Sequence, residues 1–359
     1  MADIILPFKQ LHDTTVRLFI AIGCSHEHAT LIADILTAAE LRGIPSHGIA
    51  RIPDYYGMFS AGRINIKPKP KVIHNTLSTA TIDGDNAYGM IPGFMAMNLA
   101  IEKAETYGSG WVSVNNSNHY GIAGFYAMMA VKKNMIGMSV TNANPLVAPT
   151  FSVSRFLGTN PLAVAIPAGK YPPFVADFAT TPIARGKLAM MEKKGLKAPA
   201  GFVQDKKGHS SDDPAILKDG GAILPLGGDY EHGSHKGYCM GALVDIFSSV
   251  IGGANFGPFV PPQIPYLPMP ENQPGKGLGH FFGAFRIDAF RPASEFTRDM
   301  EKWIETFKNA TPSEGHTEVI IPGEPELRNE NKYSIEGIPV LDKTWNSIQE
   351  IAVKLKLEI

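Results

Sequence analysis

Within Ser46-His47-Gly48-Ile49-Ala50-Arg51 a histidine and an arginine stand four residues apart beside a glycine. An imidazole, with an unperturbed pKa of about 6.5, exchanges a proton at neutral pH. A guanidinium keeps its charge and grips a carboxylate through two parallel hydrogen bonds. Together the two groups suit a 2-hydroxy or 2-oxo acid. On a helix, His47, Arg51 and Tyr55 share one face. Pro53 disfavours a regular helix straight through 47–55, which bends that face and leaves the position of Tyr55 open. The bland reading of the same spacing is a solvated helix face.

Four further clusters have chemistry-bearing residues at places where chains turn. Asn115-Asn116-Ser117-Asn118-His119-Tyr120-Gly121 puts a second histidine after a strand and before a helix, where α/β folds collect ligands. The same residues suit a turn that satisfies its own backbone and caps the next helix. Thr141-Asn142-Ala143-Asn144-Pro145, also after a strand, and Gly158-Thr159-Asn160-Pro161 offer amides for a carboxamide or carboxylate, and both are ordinary turn chemistry too. Asp177-Phe178-Ala179-Thr180-Thr181 sets a carboxylate at a strand end, suited to ribose hydroxyls, with Arg185 and Lys187 downstream for a phosphate; surface roles are equally open to them. Glu231-His232-Gly233-Ser234-His235-Lys236-Gly237 leads into an apolar helix. It reads as a helix start, as an anion site of backbone N–H groups and Lys236, or as metal ligands His232 and His235 with no third donor beside them.

The elements that must carry these clusters are those of an α/β protein. The 359 residues are 44% apolar and 19% charged with a net charge of -1, so disorder is disfavoured and there is no basic footprint for nucleic acid. The N-terminus lacks a signal-peptide pattern and no run approaches a membrane span, which makes a reducing cytoplasm the default compartment. Cys24 and Cys239 read as buried free thiols in apolar, helix-like stretches.

Apolar spacing predicts helices over 8–22, ending at Gly23, and from Ser25 onward. A basic linker, Lys67-Pro68-Lys69-Pro70-Lys71, closes this helical part. Strands are expected at 79–83, 111–115, 136–141, 162–166 and 174–178, with helices at 94–104 and 121–130 between them. Residues 189–235 show little periodicity and read as long functional or interface loops. A buried helix over 237–250 precedes an irregular proline-rich stretch, 258–274, and Ser294 is expected to cap a late helix before a closing one over 344–357. The division that follows is 1–70 as a helical segment, 71–330 as the α/β core and 331–359 as a C-terminal helical segment.

No Gly-x-Gly-x-x-Gly fingerprint follows a strand, and there is no P-loop, His-Glu-x-x-His helix or Gly-x-Ser-x-Gly elbow. A nicotinamide cofactor, if one binds, needs another fold. In register along nearly the whole chain, Ser46-His47-Gly48, Asn118-His119-Tyr120-Gly121, Gly158-Thr159-Asn160-Pro161, Asp177-Phe178-Ala179-Thr180, His235-Lys236-Gly237, Gly279-His280-Phe281-Phe282 and Pro322-Gly323-Glu324 resemble the malate/L-lactate dehydrogenase family that is unrelated to the Rossmann-type enzymes. That family also holds sulfolactate and ureidoglycolate dehydrogenases, diketogulonate reductase and piperideine-2-carboxylate reductases.

The resemblance implies a family-specific non-Rossmann α/β fold: a mixed sheet flanked by helices, with a helical N-terminal segment and a C-terminal helix. It further implies NAD, with NADP as the variant, a small carboxylic acid substrate such as malate or L-lactate, and a homodimer whose active site lies at the subunit interface. His47 and His119 become the acid/base pair, Arg51 the carboxylate holder, and Ser46 and Tyr55 its neighbours. Asn144, Asp177, Phe178, Ala179, His235, Lys236, Gly323 and Glu324 fall on the cofactor side, and no metal is implied. The alternatives are a reductase of a cyclic imino acid or sugar-derived keto acid, and a metal-dependent hydrolase or lyase built on His232 and His235.

Overall fold

The computed structural model describes residues 3–359. After β1 (Asp3–Leu6) come α1 (Phe8–Ile22) and α2 (His26–Leu41). α1 ends where the spacing puts it, because Gly23 at φ 112 takes the left-handed conformation and turns its N–H back to the Ile20 carbonyl. Ser25 caps α2 by accepting the His28 N–H at 3.2 Å. Two single 3-10 turns, Pro45–His47 and Ile49–Arg51, are split at Gly48 and run into α3 (Ile52–Ser60). Pro53 sits in the first turn of α3, where a missing N–H leaves no carbonyl unpaired.

The middle of the chain supplies β2 (Lys71–Asn75), β3 (Thr79–Asp83), α4 (Met90–Tyr107), β4 (Ser109–Ser117), α5 (Ala123–Val131), β5 (Met135–Thr141), β6 (Leu162–Ile166) and β7 (Phe174–Phe178). Then follow α6 (Arg185–Lys193), the two-residue strands β8 (Val203–Gln204), β9 (Ser210–Ser211) and β10 (Ala222–Ile223), and α7 (Ser234–Asp245), which continues as a π turn over Ile246–Val250. The chain closes with β11 (Leu278–Arg286), α8 (Ala293–Lys308), α9 (Glu324–Glu336), β12 (Ile338–Leu341) and α10 (Asp342–Lys354).

Seven strands form one mixed sheet in the order β2-β3-β4-β11-β5-β6-β7. β3 and β4 run parallel, and β11 lies antiparallel to both β4 and β5. Met97, Ala100 and Ala104 of α4 and Tyr126, Ala127 and Ala130 of α5 pack on Val112, Val114, Phe282 and Ala284 of the sheet in one core cluster. Trp345, Ile348 and Ile351 of α10 join the same cluster, and β1 pairs with β12, so the two chain ends close against each other.

Several sequence expectations are corrected here. Lys71 begins an exposed edge strand and does not end a linker. Residues 189–235 are not all loop: they hold part of α6 and the three-stranded sheet β10-β8-β9. Pro292, not Ser294, stands at the cap of α8. Cys24 is buried but precedes α2, and Cys239 is exposed.

The largest omission is β11, the central strand. Its burial runs almost unbroken along both faces, so it has no period-2 alternation to read. Its two glycines also look unlike a strand. A Cβ at Gly279 would lie 1.8 Å from the Ser248 carbonyl oxygen, and one at Gly283 would lie 2.3 Å from the Trp111 ring. Close approach of neighbours, not a turn, is what requires them.

His280 on β11 is fully buried and ties the ends of two neighbouring strands together. Its Nε2 lies 2.7 Å from the Ser117 hydroxyl and its Nδ1 2.7 Å from the Thr141 hydroxyl, while its ring stacks on Tyr120 at 4.6 Å. Burial holds its pKa down to about 3. The unfolded chain, with a histidine pKa of about 6.5, therefore binds the extra proton between those values, and stability falls as pH drops through that window by on the order of a few kcal/mol. Urea titrations at pH 7.5 and pH 5 should show this loss. His280→Gln should lessen the slope, with His47 and His119 still contributing in the same sense, and an equally steep loss in that variant would count against the assignment.

Candidate active site

His47, Arg51, Tyr55, His119 and Asn144 line a single cleft of about 1080 Å³ including its mouth. The break at Gly48 turns His47 and Arg51 to one side, and the early start of α3 brings Tyr55 in behind them. His119 arrives from the far end of β4 on the turn before α5. Gly121 shapes that turn at φ 83, and a Cβ there would come within 2.6 Å of Ile35.

The side chains interlock. The Tyr55 hydroxyl donates to His119 Nδ1 at 2.6 Å, and the Gly121 N–H donates to the same nitrogen at 3.3 Å. Nδ1 is thus an acceptor, which puts the proton of the neutral ring on Nε2. The His47 and His119 rings stack at 5.6 Å, and Ser46 Oγ lies 3.0 Å from His47 Nδ1. Arg51 donates from Nε to the Ser46 carbonyl at 2.7 Å and from Nη1 to Asp54 at 3.1 Å. These bonds fix the guanidinium plane and leave further N–H donors for a ligand.

Burial and then the Arg51 charge hold the His47 pKa down to about 4. His119 is held well below the ordinary histidine value by burial first, then by His47, Arg51 and His280. Both rings are therefore neutral at pH 7 and able to accept a proton. Tyr55 is buried and its pKa is raised by that burial, so its hydroxyl stays a donor. Tyr55→Phe removes this bond to His119 without emptying the site. Turnover is expected to fall about tenfold with cofactor affinity unchanged; steady-state kinetics beside a cofactor titration reads both.

The loop ahead of the cleft is pinned by two buried asparagines whose amides bond the protein itself. Asn160 is fully buried, accepts the Ala143 N–H at 3.1 Å and donates to the Gly241 carbonyl at 3.0 Å. Asn142 donates to the Asn255 carbonyl at 2.7 Å and accepts the Gly279 N–H at 3.2 Å. Asn144 remains in the cleft, with Oδ1 accepting the Gln263 N–H at 3.3 Å.

A sequence model of malate/L-lactate dehydrogenases matches residues 6–349. The chain belongs to the malate/L-lactate dehydrogenase family. It is 40% identical to a malate dehydrogenase of Pyrococcus abyssi over 349 residues, covering 97% of this chain and 94% of that one. It is 39% identical to an L-sulfolactate dehydrogenase of Methanocaldococcus jannaschii over 337 residues, with 94% and 93% covered. The crystal structure of a malate dehydrogenase from Entamoeba histolytica superposes with a TM-score of 0.91 at 32% identity, covering 99% of both chains. Membership makes the chain a hydroxyacid dehydrogenase, and its mixed sheet and flanking helices are those of the family's solved structures.

Other residues that the family pattern singles out lie outside the cleft lining. Ser46 borders an adjoining cavity. Asp177 and Phe178 end β7 and Ala179 follows it, and the Asp177 carboxylate accepts the Gly124 N–H at 2.8 Å. His235 and Lys236 stand exposed on the first turn of α7. Gly323 at φ 98 starts α9, and Glu324 is engaged by Lys308 at 3.0 Å and by the Ile321 N–H at 3.0 Å.

The residues overlooked in the sequence are Asp54 and Gln263. Gln263 accepts the His119 N–H at 3.1 Å, from within the proline-rich stretch. A single amide among prolines was its only signal. His232 pairs with Asp229 at 2.6 Å, and among the described residues no three His, Cys, Asp or Glu side chains are grouped to hold a metal. Nor is any described helix long and apolar enough to cross a membrane.

Proposed function

We propose that the chain transfers a hydride between a nicotinamide cofactor, NAD in preference to NADP, and a small 2-hydroxy or 2-oxo carboxylic acid, malate ahead of L-lactate. The observation that carries this reading is the meeting of two neutral imidazoles and an arginine in one cleft from segments more than sixty residues apart, about 2.6 Å separating Tyr55 from His119. Malate is placed first because the relatives are named for malate and sulfolactate, acids with a second anionic group. Arg185 at the cleft wall is a second guanidinium for such a group.

The donor set of the outer cleft fits a nicotinamide. With Asn144 Oδ1 already occupied, its NH₂ is the donor for a carboxamide oxygen, and Leu146 and Leu278 provide apolar walls for the ring. When bound, the cofactor supplies a ring carbon that accepts or gives the hydride. Asp177 to Ala179 and His235-Lys236 are the proposed residues for the rest of the dinucleotide, with Gly323-Glu324 at its margin.

Arg51 holds the substrate carboxylate and so orients C2. A histidine of the pair takes the C2 hydroxyl proton as the hydride leaves and returns it in reduction. Burial is the main depression of both imidazoles, and the bound carboxylate offsets the lesser part that the Arg51 charge contributes. A homodimer that completes the cleft from the partner is part of the proposal.

A steady-state panel tests it: malate, L-lactate, their 2-oxo acids, a cyclic imino acid and a sugar-derived keto acid, each with both cofactors, alongside metal analysis. Highest kcat/KM for malate or oxaloacetate with NAD(H), without stoichiometric metal, is the expected result. Preference for the imino acid or sugar acid would move the chain to the reductase reading.

A further inference from the structure

Glu40 is a carboxyl group that the reaction outlined above leaves unused. It stands on the last turn of α2, 3% exposed, and its Oε1 accepts the Ile49 N–H at 2.8 Å. Gly48 lets it in. A Cβ on Gly48 would lie 2.1 Å from that oxygen, so the carboxyl fills the space any other side chain would need. The group thus enters the gap between the turn that carries His47 and the turn that carries Arg51, and bonds the backbone where the two meet.

On its other side lies a cavity of about 870 Å³ that reaches Tyr333 of α9, Val340 of β12 and Thr344 of α10. The charged groups near Glu40 are directed elsewhere. Arg51 is bonded to the Ser46 carbonyl and Asp54, and Arg42 to Glu330 at 3.2 Å. Tyr333 is the other titratable side chain along the cavity, and β12 and α10 present no charge to it. Burial pushes the Glu40 carboxyl up to about 7, opposed by the Ile49 N–H.

We propose that Glu40 is a positioning residue for the reaction: by holding the Ile49 N–H through the space that Gly48 leaves, it keeps the His47 and Arg51 turns in mutual register, and loss of its charge loosens them. This rests on the reading of His47 and Arg51 as site residues. A charged acceptor holds an N–H about twice as strongly as a neutral one. An acceptor removed altogether leaves a buried donor unpaired.

The test uses the full-length protein with Glu40→Gln and Glu40→Ala. Two quantities are followed from pH 5.5 to 8.5: kcat/KM for the 2-oxo acid, and amide hydrogen exchange of residues 44–52 corrected for the intrinsic rate. In the wild type, both kcat/KM and protection of the Ile49 amide should fall as pH drops through the neutral range. Glu40→Gln keeps an acceptor but cannot ionise, so both should become flat there. Glu40→Ala should lower kcat/KM about tenfold or more at pH 8 and speed exchange, with cofactor affinity unchanged and most activity restored by Gln. A folded Ala variant with wild-type exchange and kcat/KM within twofold would overturn the proposal, as would a Gln variant that keeps the wild-type pH profile. Should Ala fail to fold, the Gln profile decides. Should the protein lack 2-hydroxyacid activity, the proposed substrate class fails and the exchange data alone decide on the Glu40 clamp.

Discussion

His119→Ala is expected to lower kcat by about 10²- to 10⁴-fold, the usual worth of a positioned acid/base, while the cofactor dissociation constant stays within twofold. His47→Ala should act in the same direction. The two rings stack and share the Arg51 field, so they form one unit, and the double variant should be little worse than the poorer single one. Their low proton affinity has a consequence for the pH profile. With His47 titrating at about 4, the free enzyme has both bases ready across the neutral range, and acid inactivation through them begins well below pH 6. Steady-state kinetics of the single and double variants from pH 5 to 9, with cofactor binding followed by fluorescence, measures all of this. Full turnover in both single variants would remove the histidines from the chemistry.

Arg51→Lys is expected to raise KM for the acid by about 10- to 100-fold, because a point charge cannot reproduce two parallel N–H···O bonds to a carboxylate. The structure adds that kcat should fall as well. Arg51 Nε holds the Ser46 carbonyl at 2.7 Å, one residue before His47, so the guanidinium also steadies the turn that carries the imidazole. A lysine at that position has no geometry for both tasks. Arg51→Ala should be worse in both constants and should leave cofactor affinity unaltered. An unchanged KM in the lysine variant would transfer carboxylate binding to another residue, with Arg185 as the next candidate on the cleft wall.

The clusters that turn the chain were legible because turns and caps announce themselves in residue type. Gly23 and Ser25 bounded the first two helices, and 162–166 and 174–178 agree with β6 and β7 to the residue. β11 was not legible, since a strand buried on both faces and thinned by glycine has no alternation to count. The short strands β8, β9 and β10 escaped for the opposite reason. Two residues each are too few for any period to emerge.

Residue type offered His47, Arg51 and His119 as groups suited to a hydroxy acid but left each of them open to an ordinary helix-face or turn role, and the resemblance along the chain is what singled them out as candidates. Local spacing also tied His47 to Arg51, since four residues in one segment cannot move far apart. What tertiary structure decided was the company they keep. Pro53 made Tyr55 unplaceable from spacing, yet its position in the first turn of α3 is what sets the Tyr55 hydroxyl against His119, sixty-four residues on. Gln263 and Glu40 were silent in the sequence, and His280 stood there only within a motif with no role attached, because their roles are contacts between distant segments, and such contacts are settled only when the sheet brings its strand ends together and burial removes the water that would otherwise satisfy those groups.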